Sequence, residues 1–116
     1  MIYLFEKIVE INLLFDFYGK LLTEKQQKVV RLYYYNDMSL SEIGDELGIS
    51  RQGIYDHLQR SENLLRNYEN KLKLLEKYTY IKYEFDKLLD FINDREINEK
   101  EKAVIKTRIK ELRKSI

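Results

Sequence analysis

From Ile54 onward the chain sets apolar or small residues at alternating steps of four and three, through Leu58, Ser61, Leu65, Tyr68, Leu72 and Leu75. Residues spaced in this way share one face only on an α-helix, so the pattern predicts one long helix able to pack lengthwise against another. One chain of 116 residues has limited surface with which to cover so long a rod. The rod's partner is either another helix of the same chain or a second subunit, and the limited surface favours a homodimer as the expected assembly.

The rest of the sequence agrees with helix. It holds no proline and only four glycines, and is rich in Lys, Glu, Leu and Ile, which favours an all-α chain with short joints. In the N-terminal stretch Leu4, Ile8, Ile11, Phe15 and Tyr18, widened by Phe5, Val9 and Leu14, predict a deeply buried helix that stops at Gly19. Thr23 with Gln26 forms a capping box for a second helix to about Tyr35, after which Asn36 and Asp37 tolerate a left-handed backbone. Ser39 with Glu42 starts a short third helix, and Ser50 caps the long fourth. Ile81, Phe85, Leu88 and Ile92 carry a fifth helix whose start is blurred by the YTYIKY run at 78–83. Asn98 with Glu101 opens a sixth, carried by Ile105, Ile109, Leu112 and Ile116. The expected organisation is one helical domain over 1–116, with a helix-turn-helix core at 21–67 and a helical C-terminal tail at 77–116.

Gly44 and Gly48 sharpen the middle of this picture. Gly44 follows Ile43 on the face turned toward the next helix, where a side chain would hold two backbones apart. Gly48 stands where the chain leaves one helix and enters another within about three residues, a place that calls for positive φ. Ile43, Leu47, Ile49, Ile54 and Leu58 form the small core beneath, which is the economy of a helix-turn-helix. The spacing of Glu42, Ile43, Gly44, Leu47, Gly48, Ile49, Ser50, Ile54, Leu58, Arg60, Leu65 and Arg66 resembles the helix-turn-helix of sigma factor region 4. Together with the short length, the apolar first helix and the helical tail, the whole chain resembles the YlxM family of small bacterial proteins. That resemblance implies a helical fold, DNA-binding or regulatory activity, and an association with the signal recognition particle pathway.

If the fourth helix is a recognition helix, its early exposed positions are Arg51, Gln52, Tyr55, Asp56, Gln59 and, farther on, Arg60. Arg51 suits guanine, Gln52 or Gln59 suits adenine, and Tyr55 suits a phosphate or a thymine methyl. Ser39, Ser41 and Ser50 offer hydroxyls and helix-end amides to phosphate. The electrostatics oppose strong binding. Glu42, Asp45 and Glu46 leave the third helix acidic, and from Ser50 to Arg66 the balance is Arg51, Arg60 and Arg66 against Asp56 and Glu62. The tail is more basic, with Lys102, Lys106, Arg108, Lys110, Arg113 and Lys114 against Glu111, a strip suited to RNA or to plain solvation.

Other function classes find little footing. A net charge of +1 provides no long-range pull on nucleic acid or membrane. With no cysteine and His57 as the sole histidine, a thiolate or multi-histidine metal site is excluded, and no cofactor is expected. The sequence GISRQG lacks the Lys and Ser/Thr of a phosphate loop, and no Ser, His and Asp set stands in a suggestive context, so an enzyme is not expected. Glu6, Lys7, Glu10 and Asp16 interrupt the apolar N-terminus, which speaks against membrane insertion and for a cytoplasmic protein. Three readings stay open: a DNA-binding regulator, an accessory protein for the signal recognition particle's RNA or GTPase, and a helical scaffold that only self-associates.

Overall fold

The computed structural model describes residues 2–115. Ile116 and the side chain of Leu4, both placed in apolar stripes by the sequence, lie outside the described residues. Six α-helices follow in order: α1 (Ile2–Tyr18), α2 (Glu24–Val30), α3 (Leu40–Leu47), α4 (Arg51–Leu72), α5 (Leu74–Asn93) and α6 (Glu99–Lys114). A 3-10 turn over Gly19–Leu21 joins α1 to α2, and α2 runs into a π-helical turn, Arg31–Tyr35. No strand occurs among the described residues, so the fold is all-α. By its contacts the chain divides into two compact units, Met1–Leu75 and Glu76–Ile116.

The helix starts follow the caps. Thr23 Oγ1 accepts from the Gln26 amide at 3.2 Å while Gln26 Oε1 accepts from the Thr23 amide at 3.0 Å, so two orphan donors of α2 are satisfied reciprocally. Of the two residues expected to end this run in left-handed backbone, only Asp37 does so, at φ 55°. Asn36 instead closes the π turn by donating its N–H to the Arg31 carbonyl at 3.0 Å.

α4 is the spine of the first unit. Its seam meets two apolar clusters in succession: Ile54 and Leu58 join Val29, Leu32 and Ile43, and Leu65 joins Ile11, Leu14, Phe15, Tyr18, Leu22 and Val30. From Ile54 to Leu65 the seam is therefore filled by α1, α2 and α3 of the same chain, which removes it as a dimer interface. Between the clusters lie two buried polar residues, Ser61 and Glu62. Ser61 Oγ donates back to the His57 carbonyl at 2.7 Å, which satisfies it within its own helix. Glu62, 1% exposed, accepts from the Tyr34 hydroxyl and lies 3.5 Å from Lys7 Nζ and 4.0 Å from Arg66 Nη1. A carboxylate this deep is tolerable only with such partners. Burial, and then the Glu62 carboxylate, push the Tyr34 phenol well above its ordinary range.

The seam does not run unbroken to Leu75. Lys73 adopts φ 58°, ending α4 at Leu72, and Leu72 is exposed. The break is held from α1. The Tyr18 hydroxyl donates to Glu69 Oε1 at 2.5 Å and accepts from the Leu74 amide at 3.1 Å, while the same Glu69 oxygen accepts from the Leu75 amide at 3.0 Å. Two orphan donors of the first turn of α5 are thereby satisfied. Burial, followed by the Glu69 carboxylate, raises the Tyr18 phenol.

The first helix buries one face, through Ile11, Leu14, Phe15 and Tyr18. Phe5 and Val9, expected to widen that buried stripe, are exposed. In the second unit α5 starts at Leu74, so the YTYIKY run lies inside the helix. Asn98 caps α6, but its side chain accepts from the Lys100 amide at 2.8 Å rather than from Glu101. Ile92 and Ile109 are buried, whereas Ile81, Leu88, Ile105 and Leu112 of the expected stripes are exposed. Arg113 Nη1 to Asp86 Oδ1 at 2.7 Å and Lys102 Nζ to the Asn93 carbonyl at 3.3 Å tie α5 to α6.

Candidate nucleic-acid interface

α3 is set in place by its first residue and its last. Ser39 Oγ accepts from the Glu42 amide at 3.1 Å and Glu42 Oε1 accepts from the Ser39 amide at 3.2 Å, the expected capping box. At the other end Gly48 takes φ 69° and ψ 33°, and its amide, like that of Ile49 at 2.9 Å, donates to the Gly44 carbonyl. A Cβ at Gly44 would stand 2.5 Å from the Ile49 carbonyl oxygen, which cannot swing aside as a side chain can. The close approach at Gly44 is thus to the turn, not to the axis of the following helix as its position in the sequence suggested. Gly53, which the spacing argument passes over, is needed as well. A Cβ there would meet Ile49 Cγ2 at 2.7 Å and Ser50 Oγ at 3.1 Å, the atom that caps α4 by accepting from the Gly53 amide at 3.0 Å. A glycine three residues beyond a helix-capping serine was the signal that could have flagged it.

With Ile54 and Leu58 pinned inward, helical periodicity turns two neighbouring rows of α4 outward: Arg51, Tyr55 and Gln59, and beside them Gln52, Asp56 and Arg60. All are exposed except Gln59, which is half-buried. Ser39, Ser41 and Ser50 are exposed at the starts of α3 and α4. The eight residues singled out from the sequence therefore line the entry of α4 and the cap of α3. Two are already engaged in capping, and Gln52 Nε2 donates to Asp56 Oδ1 at 3.1 Å, so its amide must exchange that bond for any base contact.

The charge on this surface differs from the count along the chain. Glu62 is buried, and Arg66 turns with it toward α1, its Nε donating to Glu10 Oε1 at 2.9 Å. Burial works to lower the Arg66 pKa, but the Glu10 hydrogen bond and the Glu10 and Glu62 charges outweigh it and hold the guanidinium above its ordinary value. What remains outward from Ser50 to Arg60 is Arg51 and Arg60 against Asp56, beside the exposed Glu42, Asp45 and Glu46 of α3. In the second unit Lys102 and Arg113 are committed to Glu99 and Asp86, at 3.8 Å and 2.7 Å, leaving Arg108, Lys110 and Lys114 as the exposed bases of the strip. Among the described residues no group of three His, Asp or Glu side chains could hold a metal ion, and no helix is long and apolar enough to cross a membrane.

A short capped helix, a left-handed glycine, and a second capped helix with its leading surface open define a helix-turn-helix protein. The comparison with known families is specific. The model of family UPF0122, described as "Putative helix-turn-helix protein, YlxM / p13 like", matches residues 5–110, and the chain belongs to this family. It is 45% identical over 101 residues to the UPF0122 protein of Bacillus thuringiensis (strain Al Hakam), an alignment covering 86% of this chain and 92% of that one. The same identity and coverage hold for UPF0122 proteins of Bacillus cereus (strain 03BB102) and Bacillus anthracis (strain A0248).

Proposed function

We propose that this protein is a non-enzymatic, cytoplasmic, homodimeric regulator that binds duplex DNA through the outward rows of α4 and acts in the signal recognition particle pathway. The observation that carries the DNA reading is the contrast between the two sides of α4. Ile54, Leu58 and Leu65 are sealed against the bundle, while Arg51, Gln52, Tyr55 and Arg60 are left in water where a recognition helix meets base edges. The capped start of α4 gives Arg51 a fixed position one turn before Tyr55, and the Ser39, Ser41 and Ser50 end of the unit suits backbone phosphate. The tie to the particle rests on the YlxM resemblance.

Because only Arg51 and Arg60 face outward against Asp56, binding is weak and its salt dependence shallow. The slope of log affinity against log salt is about −2 for one copy and about −4 for a dimer. Fluorescence anisotropy of a labelled duplex library across a salt series measures this. Arg51→Ala lowers affinity about tenfold or more and relaxes base preference, while Arg60→Ala reduces the slope by about one. Absence of any binding at low salt defeats the DNA reading.

The acidic exposed face of α3 favours a second reading, an accessory role for the particle's RNA or GTPase that uses the bases of α6. In that case reversing Arg108 and Lys110 to Glu abolishes binding to the particle RNA or GTPase, and Arg51→Ala leaves it intact.

A further inference from the structure

The first helix is apolar on two opposite faces. Ile11, Leu14, Phe15 and Tyr18 enter the core, yet on the outer side Phe5, Val9 and Leu13 follow at steps of four and are 68%, 40% and 42% exposed. Phe17, its ring 6.2 Å from that of Tyr18, continues the row, and Leu21, 55% exposed, ends it in the turn beyond. Apolar residues on the outer side of a surface helix, beyond those its own core covers, leave a stripe that a partner can bury. We infer that this outer row is the homodimer face, where α1 of one copy packs antiparallel on α1 of a second copy about a twofold axis at Leu13.

Three features of the row select a second copy. The first is continuity: Phe5, Val9 and Leu13 are exposed in one unbroken apolar row along α1, with Leu21 exposed in the turn beyond. The second is the spacing of the side chains about Leu13. Val9 and Phe17 lie four residues to either side and Phe5 and Leu21 eight, so an antiparallel partner sets Leu13 on Leu13 and an aliphatic against an aromatic side chain on either side of it. The third is charge. Glu6 and Lys20, both exposed, stand seven residues either side of Leu13, so the same twofold brings each Glu6 to the partner's Lys20. The like-charged pairing of Glu10 with Asp16 joins carboxylates already engaged, one by Arg66 at 2.9 Å and the other by the Tyr35 hydroxyl at 3.5 Å.

This inference rests on the proposed reading only in taking the chain as a homodimer, and its test is run without nucleic acid, so either can fail alone. Analytical ultracentrifugation of the full chain is expected to show a dimer, and Leu13→Lys to raise its dissociation constant about a hundredfold or more with the far-UV circular dichroism unchanged. Since the sequence has no cysteine, Leu13→Cys introduces a lone thiol on the axis and is expected to cross-link the dimer under mild oxidation. Glu6→Lys and Lys20→Glu each weaken self-association, and mixing the two proteins restores it as a heterodimer, because both cross-pairs are then of opposite sign. A wild-type monomer at about 0.1 mM overturns the proposal. So does a dimer indifferent to Leu13→Lys, which places the contact elsewhere. A dimer broken by Leu13→Lys in which Leu13→Cys fails to cross-link overturns it too, by seating a different segment of the second copy on α1.

Discussion

Of the fourteen apolar side chains buried among the described residues, twelve belong to Met1–Leu75 and two, Ile92 and Ile109, to Glu76–Ile116. Helix length does not explain the difference, since α5 and α6 have 20 and 16 residues against 17 and 22 in α1 and α4. What differs is the number of neighbours. α4 runs past α1, α2 and α3 in turn, so successive stretches of its seam find separate apolar clusters, whereas within their own unit α5 and α6 have only each other. Helical stability in proteins comes mostly from tertiary burial of an apolar face, so the first unit should hold most of the free energy of folding and the second should open more readily.

The strongest way to break this comparison is at the seam. Leu65→Ala opens a cavity among Ile11, Leu14 and Tyr18 where the wild-type side chain is fully buried, and is expected to cost about 3–4 kcal/mol in urea denaturation. A loss below about 1 kcal/mol would mean that α1 and α4 are not packed as one core. Next in size is Gly44→Ala, whose added carbon must displace the Ile49 carbonyl. It is expected to cost about 2 kcal/mol and to weaken duplex binding, because the turn that aims α4 has to shift.

Alkaline titration gives a smaller and more gradual signal from the same unit. Burial, and then the partner carboxylates Glu62 and Glu69, raise the Tyr34 and Tyr18 phenols above their ordinary range. Above about pH 10 the unfolded chain loses these protons before the folded chain does. Their stabilisation is therefore complete below pH 10 and declines as pH rises, by up to about 1.4 kcal/mol per pH unit for each tyrosine. Urea unfolding between pH 8 and 11.5 measures the slope. Tyr34→Phe is expected to make it shallower, even though it lowers stability at neutral pH by leaving Glu62 without its hydroxyl donor.

The helices, their caps and the open face of α4 were legible because each depends on residues within a turn or two. Ser50 fixes where α4 begins, Ile54 and Leu58 fix which side is inward, and Arg51, Tyr55 and Gln59 follow by periodicity. Three features were not legible. Glu62 reads as one more solvated acid until Tyr34 and Lys7, 28 and 55 positions away, close around it. The break at Lys73 carries no turn residue and is held by Tyr18 and Glu69, so the heptad count ran straight through it. On α1 periodicity placed Phe5 and Val9 in one buried stripe, because spacing along a helix does not say which apolar positions the rest of the chain will cover.

The smallest expected effect tests the comparison from the weaker side. Ile109 is buried in the second unit, whereas the bundle of residues 1–75 has its own core of Ile11, Ile43, Ile54 and Leu65. Ile109→Ala should therefore move the main urea transition by no more than about 0.5 kcal/mol, while backbone amides of α6 exchange with solvent faster and those of α4 keep their protection. The Arg113 to Asp86 ion pair is too exposed to hold α6 on α5 once the Ile109 side chain is cut back. If instead α4 amides lose protection together with those of α6, the two units unfold as one, and the buried Ile109 contributes far more to the molecule than one side chain's size implies.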